Sequence, residues 1–212
     1  MGLLAIIAGS AAAFGVFMYV IPALRRRVRA NDFEKSLVRV SFNREEPTAE
    51  LLNSFHGLDL FAAGDAKKIL HLARGERRGV QMLLFDLDFW QSSLHRGARH
   101  SIVTVAAFQT EFAGLPMIHA RPRNYVFDQW DSEFLDFPED EDFEKAYLVS
   151  SEQGAIREFF NRRVRAHLRR SSTLVLQARG EWVILFRNDV TIPPNKVAHF
   201  LDQAALIFSA VA

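Results

Sequence analysis

The chain has 212 residues, 49% of them hydrophobic, with 26 Lys plus Arg against 25 Asp plus Glu and a formal net charge of +1. These values exclude a disordered polar tail, a collagen-like repeat and a strongly basic nucleic-acid coat protein. Cysteine is absent from the sequence, which excludes disulfides, Cys-ligated zinc, iron–sulfur clusters and thiol nucleophiles.

Residues 2–24 contain no charged side chain. As a helix rising ~1.5 Å per residue they span about 35 Å, enough to cross a hydrocarbon core about 30 Å thick. The segment reads as a retained transmembrane anchor over 1–24 rather than a signal peptide. No basic stretch precedes it, its apolar run is long, and it ends in Arg25, Arg26, Arg27 and Arg29 instead of a small-residue cleavage site. Basic residues beside a spanning helix stay on the cytoplasmic side. The expected topology is therefore single-pass in the cell inner membrane, with the N-terminus outside and the rest of the chain in the cytoplasm. The four arginines are expected to meet anionic headgroups. Gly9 with Ala13, and Ala11 with Gly15, give a small-xxx-small spacing that would allow homo-oligomerisation through the anchor. Small residues are also common in any membrane helix.

Residues 25–46 read as a basic collar and connector, and residues 47–212 as one cytoplasmic α+β domain. Pro47 and Thr48 begin a short helix, and Phe55 to Phe61 return the chain to the core. Residues 68–72 fit either strand or helix. Residues 80–90 alternate as a strand, with Leu83, Phe85, Leu87 and Phe89 on one face and Asp86, Asp88 and Trp90 on the other. A polar loop over 91–99 leads to a second strand over 100–112, forming an antiparallel hairpin. Residues 115–120 form a short strand that Pro116 and Pro122 assign to a sheet edge. Residues 146–149 form another strand. A helix over 152–170 follows, with Ser150 and Gln153 as a capping box and Ile156, Phe159, Phe160, Val164 and Leu168 at helical spacing. Residues 174–178 and 182–186 pair tightly around Arg179 and Gly180. A last helix carries Val197, Phe200, Leu201, Ala204 and Phe208. The fold class is α+β: an N-terminal transmembrane helix, then an antiparallel sheet domain with two packed helices near the C-terminus.

The sharpest chemical signal is Met82 to Trp90, MLLFDLDFW. An apolar strand ending in Asp-x-Asp resembles the first motif of the haloacid-dehalogenase-like phosphatases. That resemblance implies Asp86 as nucleophile, Asp88 as general acid/base and a bridging magnesium ion. The family pattern continues with Gly and Thr, where this chain has Phe89 and Trp90. The alternative is a pair of aspartates on the solvent side of a half-buried strand, matched to arginines across the hairpin.

The seven histidines show no His-Glu-x-x-His spacing, and no Walker, Rossmann or Gly-x-Ser-x-Gly pattern occurs. His95, Arg96, Arg99 and His100 would make an anion-binding or simply solvated loop. Glu139 to Asp142 lacks the ligand spacing of an EF-hand and reads as a solvated acidic loop. Arg157, Arg162, Arg163, Arg165, Arg169 and Arg170 crowd one helix beyond what its C-terminus needs. Of these, Arg162, Arg163 and Arg169 are expected to meet a membrane surface or an acidic partner. Nucleic acid is not expected as a partner.

The segments FHGLDLF at 55–61, LFDLDF at 84–89 and LPMIHARP at 115–122 resemble landmarks of an uncharacterised bacterial family of single-pass membrane-anchored proteins. The resemblance implies a membrane helix and one domain of this size, and it carries no activity. Together these readings lead to a non-enzymatic, membrane-anchored interaction or scaffolding module of a bacterial inner-membrane assembly. It needs no cofactor, its catalytic set is empty, and its protein partner is unidentified. The rival is the magnesium-dependent phosphatase using Asp86 and Asp88. Without Arg25, Arg26, Arg27 and Arg29, 22 basic and 25 acidic residues leave residues 31–212 at −3. The near-neutral total thus divides into a basic collar and a mildly acidic domain.

Overall fold

The computed structural model describes residues 21–62, 65–93, 97–111, 114–123, 134–152, 156–187 and 190–211. The expected anchor lies outside the described residues over 1–20. Among the described residues, no helix is long and apolar enough to cross a membrane.

Helix α1 (Ile21–Val40) leads into strand β1 (Asn43–Glu45) and the short helices α2 (Ala49–Ser54) and α3 (Asp59–Ala62). Four strands follow: β2 (Asp65–Arg77), β3 (Val80–Ser93), β4 (Gly97–Gln109) and β5 (Leu115–Pro122). Then come α4 (Glu141–Ala146), β6 (Tyr147–Ser151), α5 (Arg162–Ser171), β7 (Leu174–Gly180), β8 (Trp182–Arg187) and α6 (Val197–Val211). The strands form one sheet in the order β1-β2-β3-β4-β8-β7-β5-β6. Its pairings are all antiparallel. The α+β class and antiparallel sheet are thus as expected.

Strand alternation gives the sheet two apolar faces. Phe85, Leu87, Phe89, Val105, Ile184 and Phe186 pack with Phe55, Leu58, Leu60 and Phe61 from the α2–α3 segment. Leu84, Ala106, Phe108, Leu176 and Leu185 pack on the opposite face, with Phe33 and Leu37 of α1, Val164 and Leu168 of α5, and Phe200 and Leu201 of α6. The presumed connector is therefore part of the fold. Phe33, Leu37 and Val40 are buried on α1, and β1 pairs with β2. Apolar residues at i, i+4 and i+7 give this otherwise charged helix a narrow core-facing stripe.

Several expected elements differ in place. The first long hairpin joins β2 to β3 through Arg78 and Gly79, both at positive φ (54° and 78°). That geometry matches the strand twist and suits Gly, whereas Arg occupies it at some strain. Strand β5 is interior, between β7 and β6, and not at an edge. It tolerates its prolines because Pro116 falls in a register irregularity between Leu115 and Ile118, and Pro122 ends the strand. The helix expected over 152–170 begins only at Arg162, where the Asn161 side chain accepts from the backbone N–H of Arg163 (2.9 Å) and Val164 (3.1 Å). Ser150, expected to cap it, pairs with His119 inside the sheet.

At Gly75 a close approach, not backbone conformation, demands glycine. A Cβ there would stand 2.1 Å from Phe42 Cδ1. Gly75→Ala must displace a buried ring and should cost about 1–3 kcal/mol, read as a lower urea midpoint at unchanged slope.

Candidate functional site

The even-numbered face of β3 begins apolar, with Met82 and Leu84, and then turns acidic at Asp86 and Asp88. Both aspartates are buried, at 0% and 5% exposure, because α1 covers this face. The sequence expectation of a solvent-facing pair is corrected here. Their arginine partners, Arg29 and Arg26, come from α1, while Thr104 and His100 reach them from across the hairpin.

Arg29 meets Asp86 through two hydrogen bonds, Nε to Oδ2 at 2.6 Å and Nη2 to Oδ1 at 2.7 Å. Its Nη1 donates to the Ile192 carbonyl at 2.8 Å, and its Nη2 also donates to Thr104 Oγ1 at 2.9 Å. The Thr104 hydroxyl donates to Asp86 Oδ1 at 2.8 Å and accepts from the Ile192 N–H at 2.9 Å. Thr104 sits directly opposite Asp86 in the β3–β4 register, so the sheet itself sets this contact. On the other side, His71 of β2 is paired with Asp86 and holds Nδ1 at 3.3 Å from Oδ2. Phe33 stacks on the His71 ring at 5.1 Å.

One turn earlier on α1, Arg26 Nη2 donates to Asp88 Oδ2 at 2.9 Å, and His100 Nε2 contacts Asp88 Oδ1. Trp90 packs against the His100 ring at 5.1 Å. Burial alone would raise the Asp86 carboxyl's pKa. The hydrogen bonds from His71, Arg29 and Thr104, with the Arg29 charge, outweigh it and hold the group below its ordinary value. Asp86 is therefore an ionised carboxylate with both oxygens occupied.

This arrangement clamps a helix to a sheet. It does not match the phosphatase context. β3 is antiparallel to both neighbours and leads into another strand, whereas the motif requires a strand that feeds a helix beside a cleft. Asp86 lies mid-strand with no oxygen free for attack. Among the described residues, no group of three His, Asp or Glu side chains could hold a metal ion.

The arginines expected at a surface divide into two groups. Arg29 is buried in the clamp, and Arg26 leans onto Asp88 while remaining about half exposed. Arg27 is exposed, and nothing is described of the Arg25 side chain. On α5, Arg162 and Arg163 are exposed. Arg169 is instead engaged, with Nη1 at 3.2 Å from both Asp140 and Asp142. Arg165, almost buried, reaches Asp140 at 3.1 Å and Glu139 at 2.9 Å and lies 5.3 Å from the Phe137 ring centroid. The acidic run and the basic helix, two separate features in sequence, are thus largely each other's partners. Asp140 also caps α4 by accepting from the Phe143 N–H. The His95–Arg96 loop lies outside the described residues.

Sequence reasoning found Asp86 and Asp88 but missed Arg29, His71 and Thr104 as partners of the first and Arg26 and His100 as partners of the second. The available signal was Arg29 itself, spaced four, eight and eleven residues from Phe33, Leu37 and Val40 and so on their face of a helix.

No known protein family matches the chain by its sequence profile, and no curated protein sequence matches it. Among solved structures, its fold is similar to the crystal structure of the mycobacterial trehalose monomycolate transport factor A, TtfA. The TM-score is 0.62 at 12% identity, over 85% of this chain and 93% of that one. At that identity the likeness concerns the fold alone.

Asp86→Asn should destabilise the protein by about 3–5 kcal/mol, because it leaves the Arg29 charge buried and unmatched. The double variant Arg29→Met, Asp86→Leu should recover most of that loss, so the two substitutions should be strongly non-additive in urea unfolding. A lowered folded pKa means that ionised Asp86 stabilises the fold fully above its ordinary value near 4. That contribution should disappear as pH falls from there through the folded value. Stability measured against pH should therefore drop in acid more steeply for the native chain than for the double variant.

Proposed function

We propose that the chain is a non-enzymatic, single-pass inner-membrane protein whose α+β domain serves in the cytoplasm as an interaction or scaffolding module of a bacterial membrane assembly. The observation that carries this reading is the continuity of α1. The helix is already formed at Ile21, within the uncharged stretch 2–24, and five residues beyond that stretch it enters the buried Arg29–Asp86 clamp. The buried ion pair fixes α1 relative to the sheet. A membrane-held domain gains a fixed pose from it.

The topology rests on Arg25, Arg26, Arg27 and Arg29, all immediately after the uncharged run, which favour the cytoplasmic side. The charge of an arginine engaged with an aspartate after folding is still present during insertion, when topology is set. The structural neighbour is named as a transport factor for trehalose monomycolate, and a membrane-associated, non-enzymatic role here is compatible with that likeness. For a protein partner, the exposed Arg162 and Arg163 at the start of α5 are the outward-facing cations to test first.

In cell fractionation the full chain should remain in the membrane pellet through alkaline carbonate washing, and a chain lacking residues 2–20 should move to the supernatant. A reporter fused after Ala212 should be active only in the cytoplasm, and periplasmic activity would overturn the topology. Arg162→Ala with Arg163→Ala should weaken recovery of a cross-linked membrane partner while leaving the melting temperature within a degree or two, as surface changes do.

A further inference from the structure

Helix α1 has two opposite faces. Arg29, Phe33, Leu37 and Val40 turn to the sheet and are buried. At about 100° of rotation per residue, Leu24, Val28, Asn31, Lys35 and Val38 fall within about 80° of one another on the side turned away. All five are exposed, with Leu24 at 55%, Val28 at 61% and Val38 at 85%. Exposed apolar side chains gathered on one stripe mark a contact surface, whereas scattered ones need no explanation.

The steps along the stripe are four, three, four and three residues, the a/d alternation of a heptad. Val28 and Lys35 take the a positions, and Leu24, Asn31 and Val38 the d positions. Arg27 and Glu34 then stand at g on one flank, and Asp32 and Arg39 at e on the other. In a parallel pair each g residue faces the e residue five further along the other helix. Arg27 would meet the partner's Asp32, and Glu34 the partner's Arg39, so both pairings join opposite charges. Within one chain Asp32 and Glu34 reach Lys35 at 3.9 Å and Arg44 at 2.9 Å, partly exposed pairs that cost little to exchange. Asn31 and Lys35 make the centre of the stripe polar. An Asn in such a seam fixes register at a cost in stability, and a Lys can lay its methylene stem along the seam with its ammonium in water. Two heptads are few for free peptides, whose helices must form as they associate. Here the Arg29–Asp86 clamp and the buried Phe33, Leu37 and Val40 hold α1 helical beforehand, so association requires little further ordering.

We propose that the outer face of α1 is a homodimer interface, in which two copies of the chain join through a short parallel coiled coil with their sheets on opposite outer sides. The occupant is a second copy because the face complements itself: the same stripe supplies the apolar contacts and both signs of charge, as a two-fold interface requires. The inference is independent of the anchored reading, since it uses side chains of the folded domain from Leu24 onward.

The chain contains no cysteine, so introduced thiols can be oxidised to each other without background. Full-length Leu24→Cys, Val38→Cys and Gln81→Cys, the last at an exposed position on β3, would be purified in mild detergent and oxidised with copper phenanthroline. The expected result is a covalent dimer from the 24 variant alone and from the 38 variant alone, each in several-fold higher yield than from the 81 variant. Yields at 24 and 38 no higher than at 81 would overturn the proposal. So would a mixture of the 24 and 38 variants that cross-links mainly between the two positions, which would mean an antiparallel pair. By light scattering the native chain should have twice the chain mass, and Val28→Asp with Val38→Asp should be monomeric with a melting temperature within a degree or two of native, as surface changes leave it. A dimer that survives both aspartates would place the contact elsewhere and overturn the proposal. Glu34→Arg should lower the dimer fraction, and adding Arg39→Glu should restore it, a rescue that the Glu34–Arg44 pair within one chain does not provide. Failure of that rescue would overturn the parallel register.

Discussion

The structure depends on a charge that cannot be left alone. A guanidinium carries its charge with it into the interior, and Arg29 is buried on a sheet face whose neighbouring positions include the apolar Met82 and Leu84. Burying a guanidinium is tolerable only if its donors are met, and here Asp86, Thr104 and the Ile192 carbonyl meet them. Each of these acceptors belongs to a different element: β3, β4 and the segment after β8. One side chain thus fixes the helix, the sheet register and the approach to α6 at once. Buried ion pairs are weak sources of net stability, since desolvation offsets much of the attraction. What the pair supplies is register. Phe33, Leu37 and Val40 would make acceptable apolar contacts if α1 slid by a turn, but Arg29 has matched partners in one position only.

The same logic recurs at the other end of the chain with lower stakes. Arg165 and Arg169 face the acidic turn at 139–142, and Asp140 both caps α4 and binds the two arginines. Arg165 is nearly buried there, whereas Arg169 is half exposed, so screening by solvent and salt reduces the contribution of the second. Local charge runs that look like opposed surfaces in sequence are in part internal joints. Arg162 and Arg163, a turn nearer the start of α5, are the cations that joint leaves facing outward.

The sheet was legible wherever alternation was clean. β3 and β4 fall where Leu83, Phe85, Leu87 and Phe89 or Val103, Val105 and Ala107 mark one face, and β7 and β8 flank the turn at Arg179 and Gly180. Proline misled at β5, because Pro116 sits in a register irregularity that no sequence pattern marks. Ser150 and Gln153 made a plausible capping box, but β6 claimed Ser150 and Asn161 capped the helix eleven residues later. Tertiary pairing overrode a local signal there. The candidate site was half legible. Asp86 and Asp88 stood out, but their burial depended on α1, whose apolar stripe is only three residues wide among charges. A cluster of arginines after an apolar run invited a single explanation, membrane orientation. In the structure Arg26 and Arg29 pair with Asp88 and Asp86, which the run of arginines alone does not reveal.

How a helix is joined to a domain decides whether the two can turn about each other. A flexible linker of 16 residues has an r.m.s. span of about 20–24 Å and leaves the domain free to turn. The helix from Arg25 to Val40 covers about 24 Å as well, since it has 16 residues at 1.5 Å each. It contains neither glycine nor proline to soften it. Reach is therefore the same in the two designs, and orientation is the difference. A connection that needed only reach could have been made from any polar sequence. Committing Arg29 to a buried carboxylate, and Phe33, Leu37 and Val40 to the sheet, instead fixes the direction of α1 relative to the sheet.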